Sequence, residues 1–108
     1  MNRNFPPAVS SDDLIHIAPW EATPALFTGA RRILRPGRVL YLYGPFRRGG
    51  QHTAPSNAAF DASLRARNPE WGVRNLEDVA RVAATQGFAP PAVDAMPANN
   101  LSVTFAVL

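Results

Sequence analysis

Val39-Leu40-Tyr41-Leu42-Tyr43 is the stretch that most restricts how this chain can fold. It is a run of five apolar or aromatic residues, stopped by Gly44-Pro45, and is short for a helix. It also lacks the alternation of a half-exposed strand. Such a run suits a strand covered on both faces, which requires helices above and below a parallel sheet. Upstream, Leu14-Ile15-His16-Ile17 is β-prone and stopped by Pro19, and reads as a second buried strand. Between the two, Thr23-Pro24 offers an N-cap with proline at the first helical position. Leu26, Phe27, Ala30, Ile33 and Leu34 then recur at helical spacing, so residues 24–34 are expected to form an amphipathic helix. Strand, helix and strand within about 30 residues make a βαβ unit.

Downstream, Ser56 is placed to cap a helix over 57–67, with Phe60 and Leu64 on one face and Asp61 and Arg65 as an i,i+4 pair. Asn75, with Asp78 three residues on, starts a third helix whose apolar face is Leu76, Val79, Ala80 and Ala83 and whose C-cap is Gly87. Residues 92–96 read as a strand and 97–100 as a turn. Leu101, Val103, Phe105 and Val107 then alternate with smaller or polar residues, the signature of a final strand with one buried face. The expected architecture is α/β in the order β-α-β-α-α-β-β, the last two strands forming an antiparallel pair. Residues 1–13, with two prolines and little periodicity, read as a loose lead-in, leaving 14–108 as the folded domain.

Composition excludes more than it reveals. The 108 residues contain no cysteine, so disulfides, thiolate nucleophiles and cysteine-bound metals are ruled out. No apolar run approaches the roughly 20 residues of a membrane helix, and no signal-peptide pattern opens the chain. The expectation is a cytoplasmic protein without a membrane partner. All eleven basic residues are arginines, giving a net charge of +3. Eight acidic residues are scattered among them, so the excess reads as composition and not as a nucleic-acid surface. His16 and His52 lack a carboxylate cluster that would complete a metal site. Ser56, His52 and Asp61 could suggest a triad, but there is no nucleophile elbow and Ser56 is explained by capping. Arg47 and Arg48, beside Gly49-Gly50, could hold an anionic substrate or lie in a solvated loop.

Four stretches in register carry a family resemblance. They are Ile15-His16-Ile17-Ala18-Pro19-Trp20-Glu21, Leu40 to Phe46, Ser56-Asn57 through Asn68-Pro69-Glu70-Trp71-Gly72, and Met96-Pro97-Ala98-Asn99-Asn100. Over residues 15–108 the chain resembles the uncharacterised class I methyltransferase-like family typified by methyltransferase-like protein twenty-six. The resemblance implies a partial Rossmann-like fold, the carboxyl-terminal half of an S-adenosylmethionine (SAM)-dependent methyltransferase domain. It also implies that His16 faces the methyl end as a base or substrate contact. Pro19, Trp20, Glu21, Tyr43, Gly44, Pro45, Phe46, Asn99 and Asn100 would then border the cofactor and substrate pocket.

Two departures qualify what the resemblance implies. Asp13 and Leu14 stand where Asn and Met are expected, and no Gly-x-Gly pair is present to cradle the cofactor. SAM therefore enters only through the resemblance. The isolated chain is expected to bind none and to lack independent catalysis, and its small-molecule substrate is unidentified. In a half-sheet the strand at Leu14–Ile17 would be an open apolar edge. That edge favours a homodimer or a complementing amino-terminal half, and makes a non-catalytic interaction module the alternative function.

Overall fold

The computed structural model describes residues 8–12 and 14–108, with side chains from residue 14 onward. Residues 1–7 and 13 of the lead-in lie outside the described residues. The element order is β1 (Ala8–Asp12), α1 (Ala22–Ile33), β2 (Val39–Gly44), β3 (Arg47–Arg48), β4 (Gln51–His52), α2 (Pro55–Arg67), α3 (Leu76–Thr85), β5 (Ala92–Met96) and β6 (Asn100–Ala106). Four strands form one sheet in the order β1-β2-β6-β5. β1 runs parallel to β2, while β6 is antiparallel to both β2 and β5. The α/β class and the antiparallel final pair are as expected from the sequence.

The first strand is not where the apolar run placed it. Ala8–Asp12 pairs residue for residue with Val39–Tyr43, so part of the expected lead-in is sheet. Leu14-Ile15-His16-Ile17 is a turn instead. Its exposure explains why: Ile15 and His16 are buried, whereas Leu14 and Ile17 are 48% and 41% exposed. The two central residues plug the core from a bend, and neighbouring burial of this kind does not fit strand alternation. β1 has modest intrinsic β-propensity and is held by its ladder to β2, a case of tertiary context overriding local preference.

β2 also departs from expectation. Leu40 and Leu42 are buried, but Tyr41 between them is 43% exposed. The strand commits one face to the core instead of two. α1 and α3 pack against each other and share that core, whereas Leu64 of α2 is buried outside it.

The core follows from the spacing of its residues. Thr23, Phe27, Ala30 and Leu34 fall on one stripe of α1 and its end, and Leu76, Val79 and Ala83 on one stripe of α3. Leu101, Val103, Phe105 and Val107 give the inward face of β6 and the residue after it. Phe27 is fully buried and meets Phe88 and Phe105 edge to face, with ring centroids 5.3 and 5.0 Å away.

The helix ends differ in detail from the sequence reading. α1 begins after Glu21 with no side-chain cap, and Thr23 is buried. α2 begins at Pro55, one residue before the expected cap Ser56. Gly87 has φ of +88° just past α3, where the Phe88 N–H returns to the Ala83 carbonyl, the left-handed closure that glycine permits.

Truncating Phe27 to Ala should cost about 3–5 kcal/mol, a large part of the stability of a chain this size. Urea unfolding followed by circular dichroism should show the loss, while Ile33→Ala on the exposed face of α1 should change little.

Candidate functional site

Four segments converge at the end of β2 where it leaves the sheet: the bend 14–20, the β3–β4 hairpin, the first turns of α2, and the loop 68–75. Arg47-Arg48-Gly49-Gly50-Gln51-His52 is a two-residue hairpin, with φ of +60° at Gly49 and +79° at Gly50. Gly-Gly suits a primed turn of this kind, and is the sequence signal for a hairpin here. The Gly49 N–H donates to Glu77 Oε1 and the Gly50 N–H to Asn75 Oδ1, which ties the hairpin to the start of α3.

Asp61 is the electrostatic centre of this region. Its carboxylate accepts the Val73 N–H at 2.8 Å, Arg47 Nη2 at 2.9 Å and Arg65 Nε at 3.0 Å. His52 Nε2 lies 3.3 Å away. Burial acts to raise the pKa of Asp61, but the Val73 N–H and the two arginines outweigh it and hold the carboxyl below its usual range. The expected Asp61–Arg65 pair is therefore present within a larger network. Ser56 does not join it: its Oγ accepts from Asn99 Nδ2 at 3.5 Å instead.

His16 is 1% exposed, and its ring stands edge-on to Phe46 at 4.9 Å. Nδ1 accepts the Arg74 N–H at 3.0 Å, and the His16 carbonyl accepts the Gly72 N–H at 2.9 Å. The acceptor role of Nδ1 leaves the proton of the neutral ring on Nε2. Nε2 is buried and makes no hydrogen bond among the described residues. Burial and the nearby Arg74 charge lower the His16 pKa to about 4, against weaker opposition from the Gly72 backbone and Asp61. Arg74 in turn donates to the carbonyls of Ile15, Ala18 and Glu70 and lies 5.6 Å from the Trp20 ring. The loop 68–75 thus clamps the bend that carries His16 and Trp20.

The remaining sequence candidates fall into two groups. Trp20 is half-buried beside Arg74, with Pro19 and Glu21 exposed next to it, and Phe46 touches His16. Gly44 and Pro45 are buried at the end of β2. Pro45 and Asn100 instead line a groove of about 260 Å³ with Ser56, Asn57, Phe60 and Ala98. Tyr43 belongs there too, its hydroxyl 3.5 Å from Asn100 Nδ2. The turn that positions Asn99 and Asn100 has positive φ at Ala98 and Asn99. Arg47, Arg65 and Arg74 line a second, polar cleft with Trp20. Of these, Arg65 and Arg74 were not singled out by sequence reasoning as binding residues.

The one adjacent glycine pair, Gly49-Gly50, commits its amides to Glu77 and Asn75. Among the described residues no group of three His, Cys, Asp or Glu side chains could hold a metal ion. No described helix is long and apolar enough to cross a membrane.

Comparison with known proteins places this arrangement. A family described as a protein of unknown function, DUF938, matches residues 3–107. Human N-acetylserotonin methyltransferase in complex with SAM superposes with a TM-score of 0.83 at 9% identity, over 98% of this chain and 31% of that one. An O-methyltransferase family protein from Burkholderia thailandensis gives 0.80 at 13% identity, over 98% and 31%. CalO1, a methyltransferase in calicheamicin biosynthesis in its SAH-bound form, gives 0.79 at 11%, over 98% and 32%. The fold is that of SAM-dependent methyltransferases, and the chain spans about a third of each of these solved chains.

The His16 environment predicts an acid-sensitive fold. The ring is neutral when folded and gains a proton more readily when unfolded, so its contribution is complete above about pH 6.5 and is lost as pH falls toward 4. The loss should reach about 3 kcal/mol at pH 4. Asp61 contributes separately, at lower pH, because its folded pKa lies below the ordinary carboxylate value. Urea midpoints measured from pH 7.5 to 4 should fall for the wild-type chain, and the slope between pH 6.5 and 4 should flatten in His16→Asn.

Proposed function

This chain belongs to the DUF938 family, and we propose that its residues form the acceptor-side part of a SAM-dependent methyltransferase-like domain. The observation that carries the reading is the sheet β1-β2-β6-β5 with its antiparallel β6, which aligns over 98% of the chain with methyltransferases of known structure. The finer resemblance, to the family of methyltransferase-like protein twenty-six, belongs to this proposal. SAM, when bound, would supply the methyl group. Its cradle would need residues beyond these 108, from the same polypeptide or another, because no Gly-x-Gly turn is present.

In this reading the chain's own residues align an acceptor and exclude water from it. Trp20, with Pro19 and Glu21 beside it, borders the cleft at Arg74. Tyr43, Pro45, Asn99 and Asn100, with Gly44 buried at the end of β2, border a separate groove at the start of α2, and Phe46 packs against His16. His16 acts as a positioning residue, since its Nδ1 fixes the Arg74 amide and its ring is out of solvent.

The open side of β1 favours a complementing strand. β1 pairs only with β2 among the described strands, and an unpaired parallel edge is a template for further pairing. Such an edge also supports the second reading, a non-catalytic interaction module or homodimer.

Isothermal titration of the 108-residue chain with SAM should give no micromolar binding, and addition of a polypeptide carrying a strand–Gly-x-Gly–helix unit should create it. Micromolar binding by the chain alone would overturn the division of labour proposed here.

A further inference from the structure

The polar cleft beside Trp20 carries charge that the fold does not balance. It encloses about 230 Å³ and is lined by Trp20, Arg47, Arg65, Val73, Arg74, Asn75 and Asp78. Three arginines line it. Against them stands Asp61, which Arg47 and Arg65 share, while Asp78 is already paired with Arg81 at 2.8 Å. Two positive charges are left in excess.

Arg74 already gives Nε and Nη2 to three carbonyls, but the donors of Arg47 and Arg65 are incompletely used. Arg65 bonds Asp61 through Nε alone, and Arg47 through Nη2. Arg47 Nε is buried with no partner among the described residues. Burial, and then the charge of Arg65, lower the pKa of Arg74, so the cations repel one another across the cleft. Glu21 relieves Arg74 only weakly and is exposed to solvent. An anion seated between the arginines would relieve that repulsion.

The cleft does not stand alone. Trp20 and Asp78 also line a neighbouring groove of about 480 Å³, whose other walls are Pro24, Arg81, Val82 and Thr85. Trp20 and Asp78 therefore lie between a cationic cleft and a wider, more apolar groove. A ligand with an anionic head and a flat apolar body could occupy both, its body against the indole.

We propose that this is a binding site for a phosphate monoester carrying a flat apolar group, its phosphate held by Arg47, Arg65 and Arg74 and its body lying along Trp20. A dianion matches the two excess charges, and guanidinium forks match phosphate oxygens. The site is built entirely from described residues and does not depend on methyl transfer or on SAM.

Phenyl phosphate, inorganic phosphate and benzoate serve as probes of the full chain. Trp71→Phe leaves Trp20 as the only tryptophan, so its fluorescence reports the site. Phenyl phosphate should bind saturably with a change in Trp20 emission, more tightly than inorganic phosphate or benzoate. Arg65→Gln should weaken phenyl phosphate binding about tenfold or more. Arg32→Gln, which removes an exposed arginine of α1, should leave it unchanged. The Arg47 Nε–H resonance of the wild-type chain should shift with the same dissociation constant, a readout that needs no substitution in the cleft. Absence of saturable binding in the wild-type chain would overturn the proposal, as would equal weakening by Arg32→Gln or a Trp20 signal that ignores the probe. Equal affinity for benzoate and phenyl phosphate would overturn the assignment to phosphate.

Discussion

The carboxylate of Asp61 is the interaction on which this end of the molecule depends. It sits on α2, yet its partners come from β3, α2 and the loop before α3. A buried carboxylate is tolerated only when its charge is met and its lone pairs are filled, and here a backbone amide and two arginines do both. The Val73 amide bonded to Asp61 is followed by the Arg74 amide bonded to His16, so one short segment transmits the anchorage to the bend behind β1. Gly72 permits this approach. A Cβ there would lie 3.0 Å from both Asp61 Oδ1 and Arg65 Nη2.

This arrangement makes the arginine content more specific than its overall number suggested. Arg31 and Arg32 lie in the last turn of α1, where cations favour the helix dipole. Arg47, Arg65 and Arg74 are different: they are gathered from three elements around one carboxylate, and Arg74 also satisfies three carbonyls of its surrounding loops. Composition could not separate these groups, because the second exists only after the chain has folded.

Much of the fold was legible in the sequence because it rests on periodicity. The stripe of α3, the i,i+4 pair on α2 and the alternation of 101–107 each encode a local geometry that the structure keeps. What could not be read was set by long-range pairing. Ala-Val-Ser-Ser-Asp becomes a strand only because β2 lies beside it, while the more apolar Leu14–Ile17 is bent so that Ile15 and His16 enter the core. Among the described strands the sheet begins with β1, not with Leu14–Ile17. The candidate site was legible in part: His16, Trp20 and Phe46 are brought near one another, whereas Asn99 and Asn100 belong to a separate groove. Arg65 and Arg74 were hidden because nothing local distinguishes a cleft arginine from a surface one.

Amide hydrogen exchange in Asp61→Ala tests most directly whether this carboxylate organises the site. The account predicts that Gly72, Val73 and Arg74 lose protection together, while Val103 and Phe105 in β6 retain theirs. Wild-type protection at Gly72 and Arg74 in that variant would contradict it, showing that the bend and the loop hold each other without Asp61.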